Sequence, residues 1–155
     1  MPEVKSGIVE VCPFRIIHDR GEYLLVRRAP DEPLYPGMWQ FVTGRVESGE
    51  TAHAAALREL EEETGARPRR FWVVPSVNSF YDPDRDIVNL VPLFAAQLEP
   101  GETIRLSAEH SLFEWVPYAE ARDRLVWPGQ RACLEIVRQY ILGGEMAGTL
   151  LEFTL

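Results

Sequence analysis

Four glutamates lie within five residues of one segment of the sequence: Glu59, Glu61, Glu62 and Glu63. The surrounding residues 51–64 are helix formers throughout, so we expect a helix there. At about 100° per residue, Glu59, Glu62 and Glu63 share one face of that helix, and Glu61 points to the other side. Carboxylate oxygens are the ligands that hard divalent cations such as Mg²⁺ prefer. The spacing therefore indicates a divalent metal site on this face.

A water-exposed helix face is the alternative, because runs of charge usually face solvent. Three carboxylates on one face, however, repel one another unless a cation lies among them. Arg58 is expected to neutralise only one of the three. The small side chains of Ala52, Ala55 and Ala56 are expected to leave room for a ligand on the same face.

The elements that must position this helix are predicted from apolar runs and turn residues. Strands are expected at 7–17, 23–26, 38–44, 71–77, 87–98 and 113–116, with a turn at 19–22 and loops at 30–37 and 81–86. Helices are expected at 51–64, 118–125 and 129–142, and the tail 143–155 is predicted to be a mobile glycine link followed by a strand or an ordered arm. Gly65 is expected to cap the first helix. The order of elements predicts an α/β fold with a mixed sheet covered on both faces.

Composition favours one globular domain over residues 1–155, since 46% of the residues are hydrophobic. The net charge of −8 makes nucleic acid an unexpected partner, because such binders gather Lys and Arg on one face. Cys12 and Cys133 form no CxxC pair. No apolar run approaches the roughly 20 residues of a membrane span, and the first residues lack a secretion signal. We therefore expect a cytoplasmic protein without membrane association.

Residues 44–66 resemble the Nudix box, G-x5-E-x7-R-E-U-x-E-E-x-G-U, in which U is a bulky apolar residue. Its fixed positions are filled by Gly44, Glu50, Arg58, Glu59, Leu60, Glu62, Glu63 and Gly65. Ala66 is smaller than the last position prefers. The strands on both sides of the box and the C-terminal helices are also similar to those of a whole Nudix domain. The resemblance implies a Nudix-type α/β/α sandwich with a mixed β-sheet.

Nudix enzymes hydrolyse a nucleoside diphosphate linked to another group, using Mg²⁺ or Mn²⁺ held by the box helix. The resemblance implies that Glu59, Glu62 and Glu63 are catalytic residues and metal ligands here. Glu109 is the candidate for a further catalytic, metal-binding carboxylate, because its segment is similar to one in bacterial dihydroneopterin triphosphate pyrophosphatases. An ordinary loop carboxylate stays the alternative. The neighbouring His110 could help at the site, but a lone loop histidine is more often an ordinary surface residue.

Three box residues are expected to support the site rather than to bind the metal. Arg58 and Glu50 should pair with each other and hold the loop before the helix. Gly44 should allow a tight turn.

Candidate substrate-binding residues lie outside the box. Arg27 and Arg28, at a strand end, could clamp a phosphate, although solvated arginines are also common there. Trp39 and Tyr81, with Tyr35 and Phe80, could stack on a base or pterin ring, and packing in the core is the alternative.

The leading hypothesis is a Mg²⁺-dependent pyrophosphohydrolase for a nucleoside triphosphate, a pterin triphosphate or a related nucleoside diphosphate derivative. The expected partner is that small molecule, and a homodimer stays open. An enzyme for RNA 5′ ends and a non-catalytic Nudix-like nucleotide-binding module are the alternatives. The acidic charge weighs against RNA, and the complete box weighs against a module without activity.

Overall fold

A computed structural model describes residues 1–144 and 146–155. Its strands are β1 (Glu3–Lys5), β2 (Ile8–Ile17), β3 (Arg20–Arg28), β4 (Trp39–Gln40), β5 (Val42–Arg45), β6 (Arg70–Asp82), β7 (Ile87–Gln97), β8 (His110–Pro117) and β9 (Glu152–Phe153). Its helices are α1 (Ala52–Thr64), α2 (Tyr118–Arg124), α3 (Pro128–Ile136) and α4 (Met146–Leu150), and a π-helical segment, Val137–Leu142, continues α3. Within these described residues, no helix is both long and apolar enough to cross a membrane.

The strands form one mixed sheet, which confirms the predicted α/β class. The central path runs β4-β3-β2-β7-β6-β9. β2 and β7 are parallel neighbours, whereas β2 with β3 and β6 with β7 are antiparallel. β5 pairs with the first half of β2, and β8 pairs with β3 from Glu22 to Arg28. These last two pairings bring the loop before α1 and the loop before β8 to the same region of the sheet.

Two apolar clusters cover the two faces of the sheet, because successive side chains of a strand point to opposite sides. In β2, Val9 and Val11 belong to the cluster under α1, and Cys12 and Phe14 belong to the cluster under α2 and α3. The sandwich implied by the family resemblance is therefore present.

Helix α1 has well-defined ends. The Thr51 hydroxyl accepts a hydrogen bond from the backbone N–H of Ala54 at 3.3 Å, which satisfies one free donor of the first turn. Gly65 ends the helix with φ of 71°, a left-handed conformation that suits glycine, and its N–H donates to the Glu61 carbonyl. Both predicted ends of the acidic helix are confirmed.

Several predicted boundaries are wrong. The first turn is shorter than 19–22, because His18 and Asp19 both adopt positive φ and close a two-residue hairpin loop. β1 was not predicted, and β6 extends to Asp82, so Tyr81 lies in a strand rather than in a loop. The predicted helix 129–142 changes to π-helical geometry at Val137.

In the tail, the predicted strand is present as β9, and α4 is an addition. Glu145, within the predicted glycine link, lies outside the described residues.

Candidate active site

The acidic face of α1 carries three carboxylates with very different exposure. The Glu62 side chain is 58% exposed, whereas the side chains of Glu59 and Glu63 are 14% and 5% exposed. Glu61 points away from them and forms an ion pair with Arg67. The prediction that Ala55 leaves room for a ligand is wrong, because Ala55 and Ala56 are fully buried against the sheet. These small side chains instead let the helix pack closely on β2 and β5.

Arg58 connects the loop before α1 to the acidic face. Its Nε and Nη2 donate to the two oxygens of Glu50, each at 2.9 Å, and Nη2 also donates to the Arg45 carbonyl at 2.8 Å. Its Nη1 donates to Glu59 at 2.9 Å and to Glu62 at 3.2 Å. The expectation that Arg58 neutralises only one of the helix-face carboxylates is therefore wrong. Bonding to Arg58 lowers the pKa of Glu50 to about 2, so this carboxylate is charged and fixed in place.

Gly44 is required for a reason other than the predicted tight turn. It lies inside β5, paired with Val9, and its φ is not positive. A Cβ atom at this position would lie 2.0 Å from Cδ of Glu59. With no side chain at Gly44, the Glu59 carboxylate fits against the strand and accepts the backbone N–H of Arg45 at 3.2 Å.

His110 is buried beside Glu63, so its prediction as a surface residue is wrong. Its Nδ1 lies 3.7 Å from Oε2 of Glu63, and its Nε2 lies 3.3 Å from the side-chain nitrogen of Gln40. Among the residues that the structure describes, neither His110 Nδ1 nor Glu63 Oε2 has a hydrogen-bond partner. Only the adjacency of His110 to Glu109 pointed to it in the sequence, and no sequence signal singles out Gln40.

The pKa values of the buried pair move in opposite directions. Burial, followed by the nearby charges of Glu109 and Glu59, raises the pKa of Glu63 to about 9. Burial and the positive charge of Arg28 lower the pKa of His110 to about 4. In the absence of a cation, both groups are therefore neutral at pH 7. The charge of Glu109 therefore acts on Glu63, although no hydrogen bond or ion pair joins the two side chains within the described residues.

The two candidate phosphate-binding arginines line a cavity of about 340 Å³ beside the site, together with Pro30, Gly37, Ser111 and Leu112. Arg27 Nε donates to the Gly37 carbonyl at 3.1 Å. Arg28 donates to the Leu34 carbonyl and to Glu32, and its charge acts on both Glu63 and His110. Arg28 is thus the nearer of the two to the acidic site.

The candidate aromatic residues lie in different parts of the structure. Trp39 packs partly buried against the core, and Arg124 lies 5.1 Å from its ring. Tyr35 contacts Trp127 edge-on. Tyr81 is exposed at the turn end of β6, and its hydroxyl donates to Asp86 at 2.9 Å. In the described part of the chain, no hydrogen bond or ring contact joins Tyr81 to the acidic face.

The chemistry of the acidic side chains fits a hard divalent cation, because they are all carboxylates and one buried oxygen of Glu63 is unsatisfied within residues 1–144 and 146–155. Over the same residues, no three His, Cys, Asp or Glu side chains already converge as a metal-binding group. Arg58 holds two of the three carboxylates, Glu59 and Glu62, through hydrogen bonds. A cation would have to share or replace these contacts.

Two curated proteins with similar sequences are matched over very different shares of their own length. The chain is 42% identical over 115 residues to an octanoyltransferase of Myxococcus xanthus, covering 70% of this chain but only 30% of that protein. It is 31% identical over 113 residues to the nucleoside triphosphatase NudI of an Enterobacter species, covering 68% of this chain and 79% of that protein.

Solved structures share the fold at lower identity. A Caenorhabditis elegans Ap4A hydrolase complex superposes with a TM-score of 0.76 at 20% identity, covering 90% of this chain and 99% of that chain. The Escherichia coli dihydroneopterin triphosphate pyrophosphohydrolase has a TM-score of 0.68 at 22% identity, covering 87% and 96%.

The sequence matches the protein-family model of the NUDIX domain over residues 9–135. This range includes the strands and the helix that carry the residues of the acidic site. With this match, the complete box and the shared sandwich, the chain belongs to the Nudix hydrolase family, whose members hydrolyse phosphorus anhydrides.

Proposed function

We propose that this protein is a Mg²⁺-dependent (or Mn²⁺-dependent) pyrophosphohydrolase that cleaves the diphosphate linkage of a nucleoside triphosphate, a pterin triphosphate or a related nucleoside diphosphate derivative. The observation that carries the proposal is the Glu63 carboxyl group, which is buried on the acidic face of α1 and lies within the field of the neighbouring carboxylates. A buried carboxyl group surrounded by other carboxylates is unfavourable as an anion unless a cation joins it. A divalent cation removes that conflict.

The residues of the site have separate proposed roles. Glu59, Glu62, Glu63 and Glu109 would hold the cation, and one of these carboxylates would accept the proton of the attacking water. Arg58, fixed by Glu50, orients Glu59, and Gly44 leaves the space that Glu59 occupies. When bound, Mg²⁺ or Mn²⁺ neutralises the phosphate charge and makes water a better nucleophile.

The substrate is oriented by groups beside the acidic face. Arg28, and with it Arg27, lines the adjoining cavity and supplies positive charge for a phosphate group. Trp39 is the better candidate of the aromatic pair for stacking on a ring, because β4 places it next to Gln40 and Arg27. Tyr81, at the turn of a distant hairpin, is supported less by its position.

A triphosphate substrate is supported by the similarity to NudI, named a nucleoside triphosphatase, and by the fold shared with a dihydroneopterin triphosphate pyrophosphohydrolase. RNA 5′ ends are a weaker proposal because the chain carries a net charge of −8. A non-catalytic module is also weaker, since every carboxylate of the box is present. A cytoplasmic setting is supported by two free, buried cysteines.

The experiment is a panel assay of the purified protein with Mg²⁺. The panel contains nucleoside triphosphates, dihydroneopterin triphosphate, dinucleoside polyphosphates, ADP-ribose and a short 5′-triphosphorylated RNA. Chromatography identifies the products. Release of pyrophosphate and a monophosphate from a small triphosphate supports the proposal, and preference for the RNA would favour the alternative. No turnover of any compound would contradict the proposal.

A further inference from the structure

His110 is a buried ionisable side chain next to the acidic site that the proposed function does not yet use. It occupies the first position of β8, opposite Arg28 of β3. The pairing shifts register between Arg27 and Arg28, and such a bulge redirects the side chains beside it. The bulge therefore places His110 where its ring can turn inward toward α1.

Gln40 reaches the same ring from the other edge of β3. Val26 of β3 pairs with Gln40 on one edge and with Phe113 of β8 on the other. The Gln40 side-chain nitrogen lies 3.3 Å from His110 Nε2. An amide nitrogen can only donate, so Nε2 must accept. A neutral imidazole that accepts at Nε2 carries its proton on Nδ1.

The Nδ1 atom faces Glu63. It lies 3.7 Å from Glu63 Oε2, and in the described chain both atoms are buried without a hydrogen-bond partner. This distance is about half an ångström longer than a hydrogen bond. Contacts of this kind are often long in the unbound protein and shorten when the active complex forms. One donor and one acceptor thus face each other with no competing partner among the described residues.

We propose that His110 is a positioning residue for Glu63: Gln40 holds its ring with the proton on Nδ1, and that N–H donates to Oε2 of Glu63 when the site takes up a divalent cation. The other carboxylate oxygen is then free to contact the cation. This inference rests on the proposed metal-dependent hydrolysis. It adds to the site a series of side-chain contacts from Gln40 through His110 to Glu63. Gln40 and His110 lie outside the Nudix box.

Two isosteric substitutions separate this role from simple filling of space. In His110→Asn the amide nitrogen can occupy the position of Nδ1, whereas in His110→Gln it reaches the position of Nε2. We expect His110→Gln to weaken Mn²⁺ binding, measured by calorimetry, by about 10- to 100-fold, as for other partners of metal ligands. His110→Asn should stay within about 3-fold of the wild type, because it keeps the donor. Equal Mn²⁺ affinity of His110→Gln and the wild type would overturn the proposal.

A second measurement determines which ring nitrogen of His110 carries the proton in the wild-type protein without metal. The chain has three histidines, so ¹⁵N-histidine NMR can assign His110 with one substitution. The spectrum should show the proton on Nδ1 and an unprotonated Nε2, and Gln40→Leu should disturb this preference. A proton on Nε2 would overturn the inference even if the enzyme is active. Correct protonation in a protein that hydrolyses no compound of the panel would instead contradict the proposed function.

Discussion

Replacing Gly44 with alanine should abolish most of the activity with little effect on stability. The new Cβ would lie 2.0 Å from Cδ and 2.2 Å from Cγ of Glu59, so the Glu59 side chain must rotate away. Rotation breaks its hydrogen bonds from Arg58 Nη1 at 2.9 Å and from the Arg45 N–H at 3.2 Å. The strand itself can stay in place, because the clash involves only the outer atoms of the Glu59 side chain.

The stability lost with the contacts of Glu59 and the stability gained by replacing glycine largely cancel. The loss of catalysis has no such compensation. Losing the partly buried ion pair and one backbone hydrogen bond costs about 1–2 kcal/mol. Removing glycine from a strand returns about 0.4–1 kcal/mol through the unfolded state. The melting temperature should therefore fall by less than about 5 °C. Turnover should fall by about 100-fold, the typical effect of losing one preorganised electrostatic group.

The assay compares Gly44→Ala with Gly101→Ala, whose new Cβ would meet nothing within 4 Å. Both proteins are melted by circular dichroism, and turnover of the best panel substrate is measured with Mg²⁺. The control should match the wild type in both measurements. The reasoning is refuted if Gly44→Ala keeps turnover within about 3-fold of the wild type, because a displaced Glu59 would then be dispensable.

Three further predictions concern carboxyl groups. The pKa of Glu63 is raised to about 9, and the cation requires its ionised form, so Mn²⁺ affinity measured by calorimetry should rise up to tenfold per pH unit between pH 6 and 8; a flat profile would contradict this. Burial raises the pKa of Glu10 to about 7, above the unfolded value of 4.5, so its contribution to stability is greatest below pH 4.5 and is lost as the pH rises through 7. Glu10→Gln should therefore gain up to about 3 kcal/mol relative to the wild type between pH 4.5 and 8 in urea denaturation, and parallel stability curves would argue against it. Glu109→Gln should reduce turnover strongly, whereas Glu114→Gln, whose carboxylate pairs with Arg124 at 3.0 Å, should not; the reverse order would remove Glu109 from the site.

Local signals made the acidic helix predictable. Thr51 and Gly65 mark its ends through contacts within a few residues, and the spacing of the glutamates fixes which of them share a face. The parallel and antiparallel strands were also largely visible as apolar runs. Tyr81 and Asp82 belong to the predicted loop 81–86 because the aspartates and the proline of that segment are typical of turns. In the structure they pair with Val88 and Ile87 across the hairpin.

Contacts between side chains of different strands and helices could not be predicted from the sequence. The role of Gly44 depends on Glu59, which comes from the next element. His110 meets Glu63 because β8, which carries a bulge next to His110, pairs with β3. Arg58 pairs with Glu50, as the sequence predicts. It also contacts the carbonyl of Arg45 and two helix carboxylates, which the sequence does not predict. Spacing along one chain segment carries no information about such contacts.

The central claim, a divalent-metal hydrolase built on one face of α1, is tested most directly by two substitutions on opposite faces of the same helix. Glu63 lies buried at the site, and Glu61 pairs with Arg67 on the other side. With saturating Mg²⁺, Glu63→Gln should reduce turnover of the best panel substrate by at least about 100-fold, and Glu61→Gln should stay within about 2-fold of the wild type. Excess chelator should abolish the wild-type activity, and added Mn²⁺ should restore it. Equal turnover by the two variants, or full turnover in chelator, would contradict the account.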